Sequence, residues 1–414
     1  MDLRPGYKQT EVGVIPADWK VSTVGNEFEI QLGKMLDSEK NVGIPKPYLG
    51  NRAVQWGRID LGDLPTVPMS HTDLERFRLH KGDLLVCEGG EVGRAAIWDA
   101  PIEECYYQKA LHRLRPLRGF DSRLMAALLR QWSDRGLLVN YVTQTSIAHL
   151  PREKFLEIPL PVPSPAEQRA IATALSDVDA LLTKLDQLIA KKRDLKQAAM
   201  QQLLSGQTRL PGFSGAWEVK RLRDVANLSP GINKPVSEMG TGVLYVTVQD
   251  LYSGTSIPVK NLGRVRISAA ELQNHALEAG DIVFGKSSVK REGIGYPSIF
   301  LGAPEPAVCT GFAYRARATP EHADAKYLFY ALRWEPTRKW VIDNSQASAL
   351  TNINKTIADA IPVPLPPLAE QTTIATVLSD MDAEIAALEA RRDKTRALKQ
   401  GMMQELLTGR IRLV

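Results

Sequence analysis

The string in this sequence that most resembles a reactive site is Gly280-Asp281-Ile282-Val283-Phe284-Gly285-Lys286-Ser287, which satisfies the G-x-x-x-x-G-K-[ST] spacing of a phosphate-binding loop. Such a loop needs a strand before its first glycine and a run of exposed amides after it. Here Ile282, Val283 and Phe284 are themselves a β-type run, and the related string Gly82-Asp83-Leu84-Leu85-Val86-Cys87-Glu88-Gly89 has neither the lysine nor the serine. The pattern therefore reads as a strand and turn, and an independent nucleotide-using enzyme is the weakest reading. Glu218-Val219-Lys220 fits the E-x-K end of a nuclease pattern, a tripeptide that arises by chance in most chains this long. Neither an N/D-P-P-Y/F methyltransferase loop nor a G-x-G-x-x-G fingerprint occurs. The six histidines lack metal-ligand spacing, and Cys87, Cys105 and Cys309 form no C-x-x-C pair. The expectation is a chain without a catalytic centre, a bound metal or a cofactor of its own.

Composition narrows the class further. With 52 Lys and Arg against 47 Asp and Glu, the net charge of +5 permits a polyanionic partner without requiring one. At 414 residues, 44% hydrophobic and 24% charged, the chain exceeds a single core and predicts two folded domains. Few cysteines, no apolar leader after the first charges and no long apolar run predict a cytoplasmic protein.

The elements that must position any site are set by an internal repeat. Residues 158–210 align without gaps onto 361–413, a constant offset of 203, with about half the positions identical. The rest repeats more weakly: Trp19-Lys20-Val21 matches Trp217-Glu218-Val219, and Gly82 to Val86 matches Gly280 to Phe284. Each similar segment opens with alternating prolines (Pro159, Pro161, Pro163; Pro362, Pro364, Pro366), which favour an extended entry. A helix then begins, with Ser164, Pro165 and Glu167 predicting a capping box, whereas the second copy has Pro367 in place of the serine. Apolar residues recur at spacings of four and three: Ile171, Leu175, Val178, Leu182 and Leu185, and again Ile374, Leu378, Met381, Ile385 and Leu388. That is a coiled-coil seam, weaker after Leu188 and predicted to resume at Leu195, Ala199 and Leu203, matched by Leu398, Met402 and Leu406. Gly206 and Gly409 stand where glycine closes a helix. Helices of this size are about 60 Å long.

The predicted architecture is α+β: two mixed α/β domains, 1–157 and 211–360, with helical segments 158–210 and 361–414. The two long helices are expected to pair antiparallel as a coiled coil, one body at each end, in a pseudo-two-fold internal repeat. Shorter helices are predicted from Arg123 to Gly136 and from Ala323 to Trp334.

The pattern IPLPVPSPAEQRAIATALSDVDA, its second copy and segments such as ERFRLHKGDLLVCEGGEVGRAAIW resemble the specificity subunit of type I restriction-modification systems, over nearly the whole chain. The resemblance implies two target-recognition domains, each reading one half of a split, asymmetric DNA site, held apart by the two helices. It implies docking of two modification (methyltransferase) subunits and of restriction/translocase subunits. S-adenosylmethionine, ATP and Mg would reside on those partners. A rigid spacer also fixes the gap between two reading heads by geometry alone.

Under that reading, Arg, Lys, Asn, Gln, Ser and Thr in polar loops are the DNA-contact candidates. In the first domain these are Arg52, Gln55, Arg58, Arg94, Gln144, Thr145, Ser146 and His149. In the second they are Gln249, Lys286, Ser287, Ser288, Lys290 and Arg291, with Asn344, Gln346, Ser348, Thr351, Asn352, Asn354 and Lys355. Lys191, Lys192, Arg193 and Lys196 could track phosphates, although a solvated helix face is the preferred reading. Two other readings remain: the specificity chain of a system whose modification and cleavage activities are fused in one partner, and a coiled-coil scaffold that binds proteins only.

Overall fold

The computed structural model describes residues 5–413 apart from 38, 40, 145–147, 253 and 348–349. The chain forms two compact units, Met1–Asp186 with Ala390–Val414, and Gln187–Glu389. Their boundary falls inside both long helices, Pro165–Leu204 and Leu368–Leu406, so each unit holds half of each.

In unit 1 the central run Leu84–Cys87 is buried along its whole length, as a strand covered on both faces must be. It pairs antiparallel with Ala95–Ile97 on one side and Leu111–Pro116 on the other, and Phe28–Leu32 completes the four-stranded sheet. Helix Ser122–Asp134, capped by the Asp121 carboxylate on the Arg123 amide, buries Leu124, Met125, Leu128, Leu129 and Trp132. Those side chains join Phe28, Ile30, Leu84, Val86 and Leu114 in one core. Leu85, Cys87 and Leu111 join Leu49, Tyr106 and Tyr107 in a second cluster, which includes residues of the three-stranded sheet Tyr106–Tyr107, Ile44–Leu49 and Thr66–Met69.

Unit 2 repeats the strand order: Pro297–Ile299, Ile282–Gly285, Ala313–Ala318 and Ala226–Pro230 form its four-stranded antiparallel sheet. Ile282, Phe284 and Ala316 pack with Tyr327, Leu328 and Leu332 of helix Ala325–Arg333, which Asp324 caps. In each unit the proline-rich segment forms a two-stranded ladder, Pro159–Val162 with Lys20–Thr23 and Pro362–Leu365 with Glu218–Arg221. A two-stranded ladder tolerates proline because each strand has a free edge.

The long helices run antiparallel within each unit. In unit 1, Lys399 pairs with Asp179 at 2.6 Å and Arg396 with Asp186 at 3.4 Å. In unit 2, Lys196 pairs with Asp382 at 2.5 Å and Arg193 with Glu389. These are the same two pairs displaced by the repeat offset. The exposed pairs each contribute little stability, about 0–1 kcal/mol, and with the part-buried Lys196–Asp382 they fix direction and register. The basic run is therefore not a bare solvated face, since Lys192 also pairs with Glu384 at 2.7 Å.

The seam differs from the sequence expectation in its middle. Ile189 rather than Leu188 is buried, and Leu195 and Leu398 are 47% and 59% exposed. The spacing of four and three continues instead through Lys192 and Lys196, whose aliphatic stems lie along the seam while their ammonium groups meet acids.

The Ala-Glu-Gln triplets at the helix starts have a structural use. Glu167 and Glu370 are both fully buried. Glu167 accepts the Trp19 indole N–H at 2.9 Å and two N–H groups of Arg412 at 2.6 and 2.8 Å. Glu370 accepts from the Trp217 indole at 3.2 Å and from Arg209 twice at 2.7 Å. The Glu167 amide bonds Ser164 Oγ at 3.2 Å, but its carboxylate faces Trp19 and Arg412, so the expected capping box is only half formed. Gln168 and Gln371 accept the amides of Asp121 and Asp324, the caps of the core helices. Gly206 and Gly409 adopt left-handed φ of 70° and 68° just beyond the long helices. No helix among the described residues is long and apolar enough to cross a membrane.

Candidate nucleic-acid interface

At the end of each central buried strand the chain enters a polar loop that meets a small hairpin. In unit 1, Gly89 bridges His149 of the hairpin Thr143–Gln144 and Ala148–His149. In unit 2, Ser287–Ser288 pairs with Thr351–Asn352, which pairs with Gln346–Ala347. The fold thus brings together candidates that lie far apart in sequence: Ser287, Ser288, Lys290 and Arg291 with Gln346, Thr351 and Asn352. Lys290, Arg291 and Gln346 are exposed. Gln249 is exposed on the turn Gln249–Tyr252, whose Tyr252 hydroxyl donates to Gly293 O at 2.9 Å. Thr145, Ser146 and Ser348 lie outside the described residues, as does the side chain of Gln144.

Other candidates have internal partners. Lys286 sits beyond the strand Ile282–Gly285, its ammonium donating to Gly311 O at 2.6 Å and lying over the Tyr314 ring. That is no phosphate cradle, and half-burial lowers its pKa. Arg94 donates to Asn51 O at 2.9 Å and pairs with Glu91 at 3.2 Å, while the Asn51 amide donates to Gly89 O and the Trp56 indole to Glu91. It braces the unit 1 loop from below. Arg52 and Arg58 are exposed on the adjoining turn, where Gln55 donates to Arg52 O. Asn344 bonds the Trp340 carbonyl of its own helix. Asn354 caps helix Lys355–Asp359, and Lys355 pairs with Asp359 in a groove lined by Arg223, Asn227 and Thr319.

The loop supports include groups that a search for polar surface residues passes over. Arg338 is buried, without a carboxylate partner among the described residues, and donates to Gly295 O at 2.7 Å, Glu292 O at 3.2 Å and Ile294 O. Burial pushes its pKa down to about 10. Burial likewise raises Glu88, against the pull of His149 and Lys109.

His112 anchors the base of the unit 1 hairpin. Its Nε2 lies 2.8 Å from Leu150 O, and its buried Nδ1 has no hydrogen-bond partner among the described residues, so the ring is neutral with the proton on Nε2. Burial lowers its pKa from 6.5 to about 4. Below pH 6.5 the unfolded chain takes up a proton that the folded one refuses. The stability is therefore full above pH 6.5 and falls by about 3 kcal/mol as the pH drops toward 4. Thermal unfolding at pH 7 and pH 4.5 measures this, and His112→Phe is expected to flatten the dependence. An equal slope in the variant would assign the effect to other groups.

Among the described residues no cluster of three His, Cys, Asp or Glu is placed to hold a metal. A family model described as the type I restriction modification DNA specificity domain matches twice, at residues 16–192 and 215–395. The putative type I restriction enzyme MjaX specificity subunit of Methanocaldococcus jannaschii is 24% identical over 430 aligned positions, covering 98% of this chain and 97% of that one. The EcoKI specificity subunit of Escherichia coli is 23% identical over 301, covering 68% and 64%. The crystal structure of the S subunit from M. genitalium superposes with a TM-score of 0.62 at 17% identity, covering 98% and 99% of the two chains. With one family matched in both halves, on a fold repeated in both units, the chain belongs to the type I restriction-modification DNA specificity family.

Proposed function

We propose that the chain reads a bipartite, asymmetric DNA site, one half with each unit's loop and hairpin, while the paired long helices act as a coiled-coil spacer between the two readers. A specificity subunit of this family is non-catalytic; it recognises DNA and assembles with modification and restriction subunits. Two modification subunits carrying S-adenosylmethionine would dock on it, with ATP and Mg on the restriction subunits. The segments 1–157 and 211–360 would be the target-recognition domains, and 158–210 with 361–414 the spacer.

The observation that carries the reading is that equivalent places on two copies of one scaffold bear different side chains: Gly89, Glu91 and His149 in unit 1, but Ser287, Lys290, Arg291 and Asn352 in unit 2. Exposed cations beside side chains that can bond base edges suit a nucleic-acid partner, the cations meeting phosphates and the polar groups the bases.

The test is a titration of the complex with its modification subunits against duplex DNA carrying the methylated target. Changing both Lys290 and Arg291 to alanine is expected to weaken binding at least about ten-fold. The salt slope should fall by about 2, near 0.9 for each phosphate no longer neutralised. Unchanged affinity and slope would remove this loop from the interface. Binding without preference for target over unrelated duplex would favour the scaffold.

A further inference from the structure

The two loops that follow the central strands are built to one plan but differ in length. In unit 1 the loop closes where the Gly93 amide bonds Cys87 O at 3.1 Å; in unit 2 the equivalent closure, Gly295 amide to Gly285 O at 3.3 Å, comes only after a longer excursion. That excursion is Lys286 to Ile294, and Val289 at its tip is 87% exposed.

A single exposed valine usually means nothing. This one differs in its setting. The excursion is held from below by Arg338 on three carbonyls, by Tyr252 on Gly293 O and by Ser288 Oγ on Lys290 O at 2.7 Å. Gly295 closes it at φ 58°, where an added Cβ would meet Ile353 and Val341 at 3.0 and 3.1 Å. A loop so braced does not fold its tip back to hide an apolar group. On either side of Val289 stand hydrogen-bonding Ser288 and the exposed cations Lys290 and Arg291; Arg291 reaches Asp343 only at 4.0 Å, and the Lys290 ammonium has no ion pair among the described residues.

Cations beside the tip fit a polyanion, and the one apolar feature on a DNA base edge is the thymine 5-methyl group in the major groove. Resting on the DNA-reading role proposed above, we infer that Val289 contacts the 5-methyl of a thymine in the half-site read by unit 2. The loop backbone and its cations would hold the phosphates while the valine selects thymine at one position.

The experiment uses the full chain assembled with its modification subunits and the target defined by methylation sequencing. Each thymine of both half-sites is replaced singly by deoxyuridine, which removes only the methyl. The wild-type complex is expected to lose about four-fold in affinity at one position, the contribution of one buried methyl. In Val289→Ala that position should bind thymine and uracil alike, while the thymine preferences elsewhere remain. A target without a sensitive thymine, or a variant with the wild-type pattern at every position, overturns the inference. So does a Val289→Asp chain that no longer retains its modification subunits on gel filtration, since the tip would then dock protein. A complex with no sequence preference at all fails differently: it sinks the DNA-reading role itself.

Discussion

With seven residues inserted into each long helix at matching points of the repeat, the complex no longer methylates its native site. One heptad preserves the spacing of four and three, so Ile171 to Leu185 and Ile374 to Leu388 keep their seam. It also lengthens each helix by about 10 Å, which is about three base pairs along duplex DNA. If the helices are a spacer, the two half-sites keep their sequence while the gap between them grows, or binding is lost because the heads no longer face one side of the duplex. Long-read methylation sequencing of a host carrying the variant reads the outcome directly. Methylation of the original site with its original gap would mean that the helices do not measure distance.

The second large effect is on stability. Replacing Glu167 by alanine is expected to lower the unfolding free energy of unit 1 by about 3 kcal/mol, because the fully buried Trp19 indole loses its acceptor and Arg412 loses two charge-assisted bonds. Arg412 keeps Asp18 at 2.8 Å and a quarter of its surface in water, so the loss stays below that of an isolated buried charge. For a unit of this size the melting point should drop roughly 6–12 °C. Glu167→Gln retains an acceptor for Trp19 and should lose less. Calorimetry showing no difference between wild type and alanine would mean that the clasp stabilises nothing.

The sequence made the repeat, both long helices and the core helices legible, because those depend on periodicity and on identical residues at a fixed offset. It also showed Arg209 and Arg412 as equivalent, both arginine at the same offset. It could not show that each reaches the other copy's glutamate, since that pairing exists only once the helices lie antiparallel. Following leucines along the helix leads to Leu195, whereas geometry follows Lys196; an aliphatic stem is apolar to the helix and invisible to a search by residue class.

The candidate site was half legible for a related reason. Residue type says which side chains can bond DNA but not which are already bonded. Arg94, Lys286, Asn354 and Lys355 have the right chemistry and internal partners. Lys290, Arg291 and Gln346 have the same chemistry and face solvent, Arg291 meeting Asp343 only at 4.0 Å. Val289 escapes any reading that asks only for polar groups, and Arg338 does so because nothing in its helix distinguishes a buried guanidinium from a surface one.

The Glu167 clasp also constrains how the protein is born. Unit 1 is completed by residues 390–413, which leave the ribosome only after all of unit 2 has been made. Until then the buried faces of Ile171 and Leu175 have no Met403 or Leu406 to cover them. A chain cut short before residue 390 therefore leaves unit 1 without the helix half that completes its core, and the apolar faces of Ile171 and Leu175 stay open to water.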